Sequence, residues 1–335
     1  MLRIAFVVLA VCFAGPAEAA YKARLLVPPG PLFNVQSVMD GDAVRADLDL
    51  AALEANLAAP GGVAVAGTSA QPRIYVADVL SIREVDAATG ALRNVISISD
   101  RAYPTTVSHA VFGGRSLLIA ASWITGRVLV IDPTSGDVLR DEAGFNQPYD
   151  VVGLNDGRIL VAEAGAKRIV MLDETGARRA LADGFQRPMG LALAGEILYV
   201  TDRAAGTLIA LNLVTGKQHV AAADLNEPEG VAVLPDQRVA VVATGQRAIV
   251  AVDPATGARA NIATNLAVGA QNQTQFVPSL GKPADARIFN GLAMGPDSAL
   301  YLPSDIQTAL YVLQPGDGPA SFMAMLRGLT SKMFR

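Results

Sequence analysis

The sequence predicts an all-β fold, a six-bladed β-propeller of four-stranded antiparallel blades, and three observations carry that prediction. The first is self-similarity. Pro188-Met189-Gly190-Leu191-Ala192-Leu193 is followed 40 residues later by Pro228-Glu229-Gly230-Val231-Ala232-Val233, and further copies start at Pro60, Pro104, Pro148 and near Asn290. The second is local pattern: each copy holds short β-branched and alanine-rich runs separated by turn residues, which is strand patterning. The third is a recurring turn, Asp86-Ala87-Ala88-Thr89-Gly90, Asp132-Pro133-Thr134-Ser135-Gly136, Asp173-Glu174-Thr175-Gly176 and Asp253-Pro254-Ala255-Thr256-Gly257. Asp accepts hydrogen bonds from the backbone ahead of it, and Gly takes the left-handed conformation that closes the hairpin. A unit of about 40–45 residues with four strands is a propeller blade, and blades must stack into a closed ring to cover both faces of each sheet.

The elements follow in order. Residues 1–19 read as a signal peptide: a positive start at Arg3, an apolar run from Ile4 to Gly15, and small residues at Ala17 and Ala19 for cleavage before Ala20. Residues 20–58 form an N-terminal segment with one strand candidate, Ala23 to Val27, and a short helix candidate, Leu48 to Leu57. The strand is expected to pair with the last blade, because a ring with two free edges invites aggregation. The six blades occupy 59–315. Extra polar residues around Asn265 to Ala286, including Gln271-Asn272-Gln273-Thr274-Gln275-Phe276, form a long loop between the fifth and sixth copies. Residues 316–335 are a Met- and Phe-rich tail, read either as the outer strand of the last blade or as a short amphipathic helix.

Composition narrows the function. The chain has 335 residues, 51% hydrophobic and 17% charged, with a net charge of −4. That mildly acidic balance, without a basic run, lacks the footprint of a nucleic-acid binder. After cleavage no stretch approaches membrane-spanning length. The single Cys12 lies in the leader, so the mature chain carries no thiol or disulfide chemistry. Two histidines, His109 and His219, are too few for a three-histidine zinc site. The expected location is the periplasm or the exterior, and the expected partner is a small molecule or a periplasmic protein.

The words Pro228-Glu229-Gly230-Val231-Ala232-Val233, Leu198-Tyr199-Val200-Thr201-Asp202 and Asn290-Gly291-Leu292-Ala293-Met294-Gly295-Pro296-Asp297 resemble the NHL-repeat and regucalcin/gluconolactonase group of six-bladed propellers. A weaker likeness, through Val130-Ile131-Asp132-Pro133-Thr134-Ser135-Gly136, runs to periplasmic YVTN-type propellers and suggests a helper in periplasmic oxidation. These words encode strands and turns, so they speak for fold before activity.

In such propellers the residue after the repeat proline stands near the channel mouth. Around the ring it is Gly61, Thr105, Tyr149, Met189, Glu229 and Asn290, followed by Gly62, Thr106, Asp150, Gly190, Gly230 and Gly291. Glu229, Asn290 and Asp150 thus offer oxygen ligands of the kind Ca²⁺ favours. The resemblance implies a divalent cation held by a Glu, an Asn and an Asp, polarising a lactone carbonyl and activating water. Against it, Gly61 and Gly62 stand where those enzymes carry their Glu, and Tyr149 and Met189 put apolar bulk into the ring. The alternative is that Glu229 and Asn290 simply line a wet channel.

A second ring, at the end of the second strands, is Asp78, Ser122, Glu163, Asp202, Ala243 and Ser304, with Asp305 next to it. Asp here is expected to cap the turn into the third strand. Glu163 and Asp305 depart from the pattern and are the candidate catalytic bases. The candidate ligand-binding residues are Tyr149, Trp123 and His109. Trp123 reads as an exposed platform at a loop tip or as cover for a gap between blades. His109 reads as a proton shuttle or a satisfied core histidine. Two functions remain open: a non-catalytic binding or scaffold propeller, and a cation-dependent lactonase-type hydrolase.

Overall fold

The computed structural model describes residues 21–29, 56–78, 81–97, 105–270 and 288–315. The chain opens with β1 (Tyr21–Val27), whose partner is the last strand of the chain. Blade 1 is β2 (Val63–Thr68), β3 (Gln71–Asp78), β4 (Ser81–Val85) and β5 (Leu92–Ser97). Blade 2 is β6 (Thr106–Phe112), β7 (Arg115–Ser122), β8 (Arg127–Ile131) and β9 (Val138–Ala143). Blade 3 is β10 (Pro148–Gly153), β11 (Ile159–Glu163), β12 (Arg168–Leu172) and β13 (Arg178–Ala182). Blade 4 is β14 (Pro188–Ala194), β15 (Ile197–Asp202), β16 (Thr207–Asn212) and β17 (Gln218–Ala222). Blade 5 is β18 (Pro228–Val233), β19 (Val239–Ala243), β20 (Ala248–Val252) and β21 (Arg259–Ala263). Blade 6 is β22 (Ala293–Met294), β23 (Leu300–Ser304) and β24 (Ala309–Pro315), completed by β1. All pairings are antiparallel, in the predicted six sheets of four.

β1 runs against β24 with Tyr21 opposite Pro315 and Leu25 opposite Tyr311, so the N-terminal strand closes the ring as expected. β1 thereby takes the outer position of blade 6. The tail at 316–335, residues 271–286 of the polar insertion, and all but the last two residues of the Leu48–Leu57 helix candidate lie outside the described residues.

The predicted turn chemistry is present. Asp86 accepts hydrogen bonds from the Ala88 and Thr89 N–H groups at 3.1 and 2.7 Å, and Gly90 closes the turn at φ +76°. Asn212 does the same work in blade 4, accepting from Thr215 N at 2.7 Å. Six apolar clusters form the core, each combining residues of two neighbouring blades: Ile119 and Val128 of blade 2 meet Val151 and Val161 of blade 3, and Leu26 and Val27 of β1 meet Val63 and Ile74 of blade 1. One cluster per blade interface is what a closed ring requires.

The closing strand predicts a contrast between two adjacent leucines. Leu26 is buried while Leu25 is 40% exposed. Leu26→Ala should cost about 2–5 kcal/mol by chemical denaturation, whereas Leu25→Ala should stay within about 0.5 kcal/mol. Equal effects would mean that β1 does not seal the ring.

Candidate functional site

Where the six inner strands begin, their backbones meet and link blade to blade. Gly62 N–H donates to Thr105 O at 2.8 Å, Gly230 N–H to Asn290 O at 3.0 Å, and Gly291 N–H to Gly61 O at 3.3 Å. Asp150 of blade 3 spans both neighbours, accepting from Thr106 Oγ1 at 2.9 Å and from Leu191 N–H at 2.8 Å. Thr201 of blade 4 donates to Glu229 O of blade 5 at 2.5 Å. The approach is so close that a Cβ on Gly190 would stand 2.3 Å from Glu229 O, and one on Gly230 would stand 2.3 Å from Asn290 O. Glycine fills four of the six positions for this steric reason. The two that carry side chains, Thr106 and Asp150, are adjacent and bonded to each other.

The expected channel mouth at this end is closed. Trp123, Tyr149, Met189 and Phe289 form a buried apolar cap. Trp123 is not an exposed platform: it is 5% exposed and stacks on Tyr149 with ring centroids 6.1 Å apart and planes 4° from parallel. Phe289 meets Tyr149 edge-on at 6.4 Å. Arg187 lies over the Tyr149 ring and donates to its hydroxyl at 3.2 Å.

Beside this cap, Glu229 and Asn290 are fully buried, so neither lines a wet channel. Glu229 Oε2 accepts from Asn290 N–H at 2.9 Å and from Asn290 Nδ2 at 3.0 Å. Its Oε1 accepts from Arg203 Nε at 3.1 Å, and Arg203 also pairs with Glu227 at 2.7 Å. Asn290 Oδ1 is buried without a hydrogen-bond partner. The donor set does not fit a divalent cation. Both Glu229 oxygens are engaged, one of them by the Arg203 guanidinium that it shares with Glu227, and an added Ca²⁺ would face that cation across a dry site. Asp150 bonds to blades 2 and 4, and no hydrogen bond joins it to Glu229 or Asn290. Among the described residues no group of three or more His, Cys, Asp or Glu is placed to hold a metal.

Glu163 and Asp305 are occupied by loop anchoring. Glu163 Oε1 accepts from Asn146 N–H at 2.8 Å and its Oε2 pairs with Arg168 at 2.6 Å. Asp305 accepts from Gly269 and Ala270 N–H at 3.0 and 2.9 Å. Asp78 and Asp202 do the same, the first for Ala58 and Ala59, the second for Gln186 and Arg187. Asp202 also caps the turn into β16 through Ala205 N–H at 3.2 Å, as the sequence suggested. The carboxylates of the second ring therefore tie the incoming loops of blades 1, 3, 4 and 6 to their own blades.

Beyond the cap the axis opens into a cavity of ≈170 Å³. Its polar side chains are Thr106, Ser108, His109 and Asp150; its apolar wall includes Val107, Val151, Leu191 and Leu292. Burial falls along the inner strands towards their hairpins: Thr106 and Val107 are buried, Ser108 and His109 only partly. Access is therefore from the hairpin side, opposite the face expected from Glu229 and Asn290. Asp150 is partly exposed and faces this cavity. Burial pushes its carboxyl up to about 7, against hydrogen bonds from Leu191 N–H, Thr106 and Val151 N–H that pull it down. His109 Nε2 lies 2.8 Å from Ser116 Oγ, and burial, helped by the Arg73 charge, lowers its pKa and favours the neutral ring.

Sequence reasoning found Asp150 but gave Thr106 and Arg203 no role. Thr106 was legible as one of only two side chains in a ring of glycines. Arg203 follows the end of a second strand, where nothing in the repeat marks it.

No family model matches the sequence, and no curated protein matches it. Solved structures do. A gluconolactonase from Xanthomonas campestris superposes with a TM-score of 0.58 at 15% identity, covering 89% of this chain and 99% of that one. A streptogramin B lyase gives 0.55 at 12% identity, covering 89% and 99%. The virginiamycin B lyase of Staphylococcus aureus gives 0.53 at 12%, covering 88% and 99%. The chain shares their propeller fold. At such identities the likeness extends to architecture alone.

The raised Asp150 carboxyl predicts a pH signature. Its folded-state pKa of about 7 lies above the ordinary 3.8, so the folded protein holds this proton more tightly than the unfolded chain. Its contribution to stability is complete at acid pH and is lost as the pH climbs through 7. Thermal melts of wild type and Asp150→Asn from about pH 4.5 to 8 should show the wild type losing stability relative to the variant. Parallel curves would contradict the assignment.

Proposed function

We propose that the protein is a non-catalytic binding propeller that takes a small ligand into its axial cavity, outside the cytoplasm. The observation that carries this reading is the position of the open space. The lactonase-type constellation of Glu229 and Asn290 is dry, capped and tied up by Arg203. The cavity lined by Asp150, Thr106, Ser108 and His109 is where a molecule can enter. At ≈170 Å³ it is well below the ~300–1,000 Å³ of sites for drug-sized ligands, so the ligand is small. The gluconolactonase and lyase neighbours support the scaffold, and the leader-like residues 1–19 support export to the periplasm.

Methyl NMR tests the reading directly. Uncharged and charged fragments of fewer than ten heavy atoms should shift the Val107, Val151, Leu191 and Leu292 methyls and leave Ile124, in the cap, unmoved. Under the same conditions gluconolactone should not be hydrolysed above background. Hydrolysis abolished by Glu229→Gln would contradict the proposal and favour the cation-dependent lactonase.

A further inference from the structure

The axial cavity contains a partly exposed carboxyl group with no cation of its own among the described residues. Buried charges are ordinarily paired. Glu229 has Arg203, Glu163 has Arg168, and Asp78 has Arg83 at 4.0 Å. Asp150 forms no ion pair among the described residues; its partners are Thr106 Oγ1, Val151 N–H and Leu191 N–H. Unlike the loop-anchoring carboxylates Asp202 and Asp305, it lines the cavity.

The rest of the lining defines what would complete it. An ionised carboxylate offers about four acceptor positions, and three are taken, two on Oδ1 and one on Oδ2. One position on Oδ2 remains for a donor. The other titratable group of the lining, His109, is held towards its neutral form and does not neutralise Asp150. Between these polar points the wall is apolar, formed by Val107, Val151, Leu191, Leu292 and Phe289. An anionic ligand would meet Asp150 with like charge, and a sugar-like neutral ligand would find too few donors and acceptors among the side chains. A small cation bearing N–H donors and an alkyl body matches both halves of the cavity.

We propose that the axial cavity binds a small alkylammonium compound, its nitrogen on Asp150 and its hydrocarbon body against the Val107–Val151–Leu191–Leu292 wall. This rests on the binding reading above and names the ligand class for that site. The ion pair would form inside a half-open cavity, as a charge-assisted hydrogen bond to a partly desolvated carboxylate. The ammonium would supply the counter-charge that the fold withholds.

The test compares n-butylammonium with n-butanol, which has the same number of heavy atoms and no charge, by calorimetry and methyl NMR on the full chain. The amine should bind at least tenfold more tightly, about 1.4 kcal/mol, and Asp150→Asn should remove that advantage. A second measurement needs no variant. The amine affinity of the wild type should rise from about pH 5 to 8 as Asp150 ionises, the ammonium staying charged as a lysine does, while the butanol affinity stays level. His109 also lines the cavity, so the rise should persist in His109→Gln. Equal affinity for amine and alcohol, or an amine preference that survives Asp150→Asn, would overturn the ammonium assignment while leaving the cavity as a binding site. Binding of neither probe would overturn the assignment and the cavity reading together.

Discussion

The structure depends on the meeting of six backbones where the inner strands begin. A propeller needs its innermost strands close to the axis, and here they come close enough to exchange hydrogen bonds from blade to blade. The contact leaves no room for a Cβ at Gly62, Gly190, Gly230 or Gly291. It also decides which end of the channel is usable. With the strand starts bonded together and capped by Trp123, Tyr149, Met189 and Phe289, the described residues leave the axis open towards the hairpin side. The two blades that escape the glycine requirement supply Thr106 and Asp150, and the cavity has its polar floor for that reason.

Two carboxylates of the same ring meet burial in different ways. Glu229 is paired with Arg203 and further tied by Asn290, which makes it part of the packing. Removing one member of such a pair generally costs about 3–5 kcal/mol because the other charge is left stranded. Asp150 relies on hydrogen bonds alone, and its carboxyl is pushed up to about 7. The first solution stabilises a scaffold. The second leaves a group whose charge state an incoming ligand can change.

The fold was legible because its determinants are local. Asp and Gly at fixed offsets set the outer turns, alternating apolar runs set the strands, and the need to cover an edge placed β1 against β24. The site was only partly legible. Ring membership of Glu229, Asn290 and Asp150 could be counted along the chain, but their burial could not, because it depends on a cap assembled from blades 2, 3, 4 and 6. Trp123 shows the difficulty: a loop position after a strand reads as exposed, yet Tyr149, from the next blade, provides a stacking surface. Arg203 was invisible for a related reason. Its partners, Glu227 and Glu229, lie one blade further on, at positions the repeat does not couple to it.

Glu229 is engaged by Arg203 on one oxygen and by Asn290 on the other, so the place a lactonase-type propeller would give a cation is taken by the protein's own groups. Calcium titrated into the purified protein, followed by calorimetry and by melting temperature, tests that claim most directly. The account predicts no saturable heat and no rise in melting temperature. Saturable binding that raises the melting temperature and disappears in Glu229→Gln would contradict it.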